Sequence, residues 1–266
     1  MSLSLRLDAV SRQFGGLKVL QDVNLDLPQS GIFGLIGPNG AGKTTVFNLI
    51  TGLLPPTSGR IEFNGQNLVG RKPHDITCLG IARTFQNIRI FKEMSLLDNV
   101  MVGLHAQLQY GPFGLLASSG LFRSEEKRAR DRARELLSWV KLDHKAADAA
   151  DNLSYGDQRK LELARALATD PKLLLLDEPV AGMNSGEKGE LMHQIRSISE
   201  RGYAIFMIEH DMRFVMGLCG DIAVLNFGRI IARGTPETIR NDPQVIEAYL
   251  GREDDEVTLD EKENSP

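Results

Sequence analysis

Residues 37–44 read Gly37-Pro38-Asn39-Gly40-Ala41-Gly42-Lys43-Thr44, which fits G-x-x-x-x-G-K-[ST], and the flanking segments take their meaning from them. Before them lies GIFGLI at 31–36, a short continuous apolar run of the kind a buried strand has. After them comes TTVFNLITGLL, with a helical pattern that the prolines Pro55 and Pro56 should end. Strand, glycine-rich turn and helix together open an α/β unit. Glycines let successive backbone N–H groups turn inward around phosphate oxygens, and the following helix offers its N-terminus to the anion. Lys43 can reach outer phosphates, and the Thr44 hydroxyl can ligate Mg²⁺. Gly37, Pro38, Asn39, Gly40, Ala41, Gly42, Lys43, Thr44 and the adjoining Thr45 are therefore candidate nucleotide contacts.

Composition narrows the setting. The chain has 266 residues, 31 Lys+Arg against 35 Asp+Glu, 42% apolar residues and a formal net charge of −4. That length supports a sizeable core, and the acidic balance opposes attraction to nucleic acid. The longest purely apolar runs, such as LLLL at 173–176, fall far below the roughly 18–20 residues that cross a bilayer. MSLSLRLDAV lacks the basic stretch, apolar core and small-residue cleavage site of a secretory leader, so none is expected. Two cysteines, Cys78 and Cys219, exclude a disulfide scaffold or a Cys-rich zinc site and are expected to be reduced thiols.

On either side of the glycine-rich loop the pattern is mixed. Residues 3–10 and 18–27 read as antiparallel strands, and RIEFNGQNL as a strand with a turn at Asn64-Gly65. From about 88 to 155 strand-like runs vanish. YGPFGLLASSG at 110–120 reads as an irregular connection, and the following segment sets Ala129, Ala133, Leu136, Leu137 and Val140 on one helical face. After 160 the α/β rhythm returns: DQRKLELARALATD as helix, KLLLLDEP as buried strand, SGEKGELMHQIRSISERG as helix and YAIFMIEH as buried strand. DIAVLNFGRIIARG reads as two strands with a turn at Phe227-Gly228. The last residues, 252–266, hold seven acids, two bases and almost nothing apolar, and are expected to be a disordered tail.

The second chemical signal is Leu173-Leu174-Leu175-Leu176-Asp177-Glu178. A central apolar strand ending in carboxylates delivers them to its C-terminal edge, where α/β folds bind ligands. Asp177 suits Mg²⁺, and Glu178 suits orienting or deprotonating an attacking water.

Leu153-Ser154-Tyr155-Gly156-Asp157-Gln158, just ahead of a helix, resembles the signature motif of ATP-binding cassette (ABC) ATPases, usually LSGGQ. Gln86 in RTFQN falls at the family's Q-loop glutamine, His210 at its switch histidine, and Ala181-Gly182-Met183-Asn184 at its D-loop. Phe14 matches the aromatic that stacks on adenine, with a strand-end core residue as the other reading. The likeness covers roughly 3–251. It implies an ABC ATPase domain with a mixed α/β core sheet, an antiparallel β subdomain and a helical subdomain inserted at about 88–155. It further implies ATP and Mg²⁺ as cofactors, with Thr44, Gln86 and Asp177 on the metal and Glu178, His210 and Gln86 serving hydrolysis. Ser154, Gly156 and Gln158 would address a γ-phosphate bound to an opposing subunit. His74, His105, His144 and His193 keep a structural or solvated reading.

Three positions depart from the family pattern. Tyr155 replaces a glycine, Asp157 a glutamine and Asn184 an aspartate. A carboxylate at 157 facing ATP would be repelled, so it is expected to point elsewhere. LSYG with QRKLELARAL, DEPVAGMN, FGLIGPNGAGKTTVFNLITG and EAYLG are similar to the ATP-binding subunits of branched-chain amino acid importers. That resemblance implies a peripheral motor on the cytoplasmic face of the inner membrane, docked on two transmembrane permease subunits. It also implies a second ABC ATPase subunit, as heterodimer or homodimer, and indirectly a periplasmic solute-binding protein, with no nucleic acid. Apolar side chains around Ile88–Leu97 would suit a groove for a permease helix, or simple core packing. Urea or amide import, lipopolysaccharide-type export and a non-transport ATP-driven clamp are the competing functions.

Overall fold

The computed structural model describes residues 3–86, 88–105 and 119–250. The chain forms two compact units, one made of the residues up to Pro73 together with those from Phe206 onward, the other of His74–Ile205. The tail at 252–266 lies outside the described residues, as does the 110–120 connection up to residue 118.

The first unit opens with β1 (Leu3–Phe14), β2 (Leu17–Pro28), β3 (Gly31–Ile36), α1 (Lys43–Ile50), β4 (Ser58–Phe63) and β5 (Gln66–Asn67). Four of these strands make an antiparallel sheet in the order β2-β1-β4-β5. Asn64 and Gly65 both take positive φ (48° and 77°), the geometry of a tight hairpin turn. The helical pattern after the loop runs to Leu54, yet α1 ends at Ile50. Gly52 has φ +70°, and the Leu53 and Leu54 amides turn back to the Asn48 carbonyl at 2.9 and 3.1 Å. A left-handed glycine therefore stops this helix before the prolines are reached.

The second unit contains α2 (Pro73–Cys78), β6 (Ile81–Arg83), α3 (Leu96–His105), α4 (Ser119–Trp139), α5 (Tyr155–Ala168), β7 (Leu173–Asp177), α6 (Ser185–Glu200) and the first two residues of β8 (Ala204–Ile208), the rest of which belongs to the first unit. Its strands lie in the order β8-β7-β6. Every residue of β7 and β8 is buried, as in a parallel sheet covered on both faces. The parallel register of β6 on β7 pairs Ile81 with Leu173 and Arg83 with Leu175, so residues 84–86 follow the course of β7 toward Asp177. Ala129, Ala133, Leu136, Leu137 and Val140 are all buried, as the helical face requires.

Chain order then returns to the first unit with α7 (Met212–Leu218), β9 (Asp221–Asn226), β10 (Arg229–Gly234), α8 (Pro236–Arg240) and α9 (Pro243–Leu250). Here the strand order is β10-β9-β3, with β9 parallel to β3 and antiparallel to β10. The β9–β10 turn uses Phe227 and Gly228 at positive φ. Phe47 and Phe206 anchor this unit's core with ring centroids 5.1 Å apart. Cys78 and Cys219 are free thiols, and burial pushes Cys219 up to about 12. Among the described residues no helix is long and apolar enough to cross a membrane.

Candidate active site

The glycine-rich loop links β3 to α1 within the first unit, and its glycines answer to steric need. A Cβ at Gly37 would lie 1.9 Å from the Leu225 carbonyl oxygen, and one at Gly42 would lie 2.8 Å from Leu20 Cδ2. Gly42 takes φ +107° at the N-cap of α1, and no side chain caps that helix. Its first turn holds no acid, so the positive end of the helix is left for an anion. Lys43 is 7% exposed, and its ammonium donates to the Gly37 and Pro38 carbonyls at 2.6 and 2.9 Å. This holds the cation inside the loop's curve. Thr44 is exposed and Thr45 half-buried.

Two other candidates belong to the same unit. His210 follows β8 with an exposed ring, and its Nδ1 lies 3.3 Å from Glu209 Oε1. Glu209 is fully buried, and that same oxygen accepts from the His210 and Asp211 amides at 2.9 and 3.3 Å. A buried carboxylate therefore stands beside one nitrogen of an exposed imidazole. Phe14 ends β1 at 42% exposure with the Arg12 guanidinium 4.3 Å from its ring centroid. Phe14 is thus no strand-end core residue; one ring face carries a cation and the side chain is open to solvent.

In the second unit, Gln86 meets Glu178, whereas the neighbouring Asp177 pairs with Arg83. The Asp177 carboxylate is buried and accepts from Arg83 Nη2 at 2.6 Å, with both side chains at 6% exposure or less. Breaking such a buried pair by removing one partner typically costs about 3–5 kcal/mol. Glu178 stands one residue past β7 at φ +49°, a left-handed conformation that costs a non-glycine residue about 1–3 kcal/mol. Its Oε2 accepts from Gln86 Nε2 at 2.8 Å.

The Leu153–Gln158 hexad forms the start of α5. Ser154 is the N-cap, its Oγ accepting from the Asp157 amide at 3.2 Å, and Gln158 Nε2 donates to the Leu153 carbonyl at 3.0 Å. Gly156 is buried, and a Cβ there would meet Glu187 Oε1 at 2.7 Å. Asp157 turns to Lys145 and Lys160, at 2.7 and 3.3 Å. Partial burial works against its charge, but the two ammonium groups hold its carboxyl below the usual carboxylate range. Asn184 is the N-cap of α6 in a capping box: its Oδ1 accepts from the Glu187 amide at 3.0 Å, and Glu187 Oε2 accepts from the Asn184 amide at 2.9 Å. Tyr155, 45% exposed, stands beside the D-loop, and a Cβ on Gly182 would come within 3.1 Å of its ring.

Sequence reading missed Arg83, Glu209 and Arg159. Arg83 and Glu209 sit within three residues of a singled-out position, yet neither residue type signals that its charge is buried, Arg83 against Asp177 of another strand and Glu209 beside the His210 ring.

A loop built for phosphate, a strand-end carboxylate pair and a serine-capped signature helix define a class of nucleotide hydrolase. The family model described as ABC transporter matches residues 20–181. The chain belongs to the ABC transporter family, as one of its ATP-hydrolysing cassettes. A second family model, described as Branched-chain amino acid ATP-binding cassette transporter, matches residues 229–255. The chain is 46% identical over 93% of its length to the High-affinity branched-chain amino acid transport ATP-binding protein LivG of Escherichia coli (strain K12), covering 97% of that protein. To the corresponding protein BraF of Pseudomonas aeruginosa it is 43% identical, with the same coverage of 93% and 97%. Among solved structures, an ATP-binding cassette of an ABC transporter in its ADP conformation superposes with TM-score 0.82 at 31% identity, over 94% of this chain and 100% of that one.

Proposed function

We propose that the chain is the ATP-hydrolysing motor subunit of a membrane importer for branched-chain amino acids. The observation that carries this reading is a phosphate loop with Lys43 folded into it, in a chain nearly half identical to LivG along almost its whole length. The match at 229–255 to the branched-chain cassette model favours that solute class over urea, amides or lipopolysaccharide.

In this reading Gly37 to Thr45 hold the triphosphate, with Lys43 exchanging carbonyl partners for phosphate oxygens, and Phe14 offers its open ring face to adenine. Among the described residues no cluster of three or more His, Cys, Asp and Glu forms a metal cage. That fits Mg²⁺, which binds nucleotide sites through one or two carboxylates with phosphates and water. Thr44, Asp177 and Gln86 would hold it, and when bound it supplies charge neutralisation at the phosphates. Glu178 orients or deprotonates the attacking water, and Gln86, bonded to Glu178, steadies that carboxylate. His210, its ring beside the buried Glu209 carboxylate, faces the γ-phosphate oxygens in this reading.

Ser154, Gly156 and Gln158 would serve the nucleotide of a second cassette. Each ATP shifts the open–closed balance only by its greater affinity for the closed pair. A heterodimer of two cassettes on two permease subunits, at the cytoplasmic face of the inner membrane and fed by a periplasmic binding protein, completes the proposal. A cavity of about 400 Å³ in the second unit, lined by Arg89, Phe91, Val102 and Arg165, offers the groove for a permease helix. Of the segment expected to line it, Phe91 is 48% exposed, whereas Leu96 and Leu97 belong to the core. Reconstitution with permeases and binding protein in liposomes tests this. ATP-driven uptake of leucine, isoleucine or valine is expected; uptake of urea alone, or none, would overturn it.

A further inference from the structure

Arg159 is a cation at 4% exposure on α5, and it spends its donors on a loop far away in sequence. Its Nη1 donates to the Phe85 carbonyl at 2.6 Å, and its Nη2 donates to the Gln86 carbonyl and, at 2.9 Å, to the Tyr155 hydroxyl. Glu162, one turn along α5, pairs with Arg159 at 3.4 Å and accepts from the Phe85 amide at 3.3 Å. One turn of helix thus grips the Phe85-Gln86 backbone at an amide and two carbonyls. From that grip the Gln86 side chain reaches Glu178 at 2.8 Å.

Desolvating a guanidinium is costly, and apolar residues of similar volume are often as stabilising as a buried ion pair. What the arginine adds over an apolar side chain is direction, since its planar fork fixes where two carbonyls lie. Tyr155 extends the fork. It stands where the family motif has glycine, its ring lies 5.3 Å from the Arg159 guanidinium, and its edge abuts Gly182.

We propose that Arg159 is a positioning residue for hydrolysis. It fixes the Phe85-Gln86 backbone so that the Gln86 amide meets Glu178, and the Tyr155 hydroxyl ties this clasp to the signature turn and the D-loop. The inference rests on the proposed roles of Gln86 and Glu178.

The test uses the assembled transporter and compares Arg159→Gln, Tyr155→Phe, Gln86→Ala and the double variants. Arg159→Gln should lower kcat about tenfold with KM for ATP changed less than about twofold. In the Gln86→Ala background it should cost less than about twofold more, because it acts through Gln86. Losses that multiply, or a raised KM at unchanged kcat, overturn the clasp. Should Arg159→Gln not fold, Tyr155→Phe carries the same comparison: a kcat loss of about threefold that vanishes without Gln86 is expected, and wild-type turnover or a multiplied loss overturns it. A second readout needs no turnover: the Gln86 side-chain amide resonance of the isolated chain, assigned by its absence in Gln86→Ala, should shift in Tyr155→Phe. An unmoved resonance overturns the clasp, whereas normal turnover of Gln86→Ala beside a moved resonance overturns only the catalytic reading.

Discussion

Glu178 holds a left-handed backbone and a hydrogen bond to Gln86, and its proposed work is on water rather than on nucleotide. Glu178→Gln should therefore lower single-turnover hydrolysis by about 10²-fold or more while nucleotide affinity stays near wild type. Turnover close to normal would remove the base from the scheme. Lys43 is the converse, since its ammonium lies in the phosphate loop. Lys43→Ala should weaken ATP binding in a direct titration, and unchanged affinity would count against the cradle. The residues of the loop were legible because their chemistry is local: eight consecutive positions specify the turn, the amides and the cation. Arg83 was not, because its meaning depends on Asp177, 94 positions away, and neither was Glu209, whose complete burial beside His210 is a property of the fold. For the Asp157 carboxylate, expected to point elsewhere than at ATP, the structure supplies two partners that sequence did not name, the ammonium groups of Lys145 and Lys160.

That triad ties the first turn of α5 to the segment before it, and it makes a prediction about pH. The Asp157 carboxyl titrates lower in the folded chain than in the unfolded one. The stabilisation it provides is thus fully present above the unfolded value near 4 and is lost as pH falls through the folded one. The Tm difference between wild type and Asp157→Asn should be steady from about pH 8 to about pH 5 and shrink below about pH 4; a difference unchanged at acid pH would show that the ion pairs carry no stability. Elements with long periodic faces could be read from the sequence, as the buried stripe of α4 and the leucines of β7 attest. Short ones could not. α2 and β6 span too few residues for a period to develop, and α7, α8 and α9 carry little more. The end of α1 was misplaced for another reason: Gly52 stops the helix by turning left-handed, a choice that the helical pattern through Leu54 does not advertise.

At the scale of the whole molecule, the proposed function couples a nucleotide to a membrane partner. Pull-down from membranes should recover two hydrophobic permease subunits and a second cassette; a ribosome or DNA complex in their place would favour an ATP-driven clamp. Removing residues 252–266 should leave ATPase activity intact, and its loss would show that the acidic tail takes part in the site. Family membership was readable because the loop, Gln86, the hexad, Asp177-Glu178 and His210 come in a fixed order along the chain. The division into two compact units was not, since it depends on which distant segments share a core.

The most direct measurement is a crystal structure of the Glu178→Gln variant with Mg²⁺ and ATP. The account predicts the triphosphate wrapped by the amides of residues 37–45, with the Lys43 ammonium moved from the Gly37 and Pro38 carbonyls onto phosphate oxygens and the metal at Thr44. Nucleotide bound elsewhere, or a loop in which Lys43 keeps both carbonyls at saturating ATP, would contradict it.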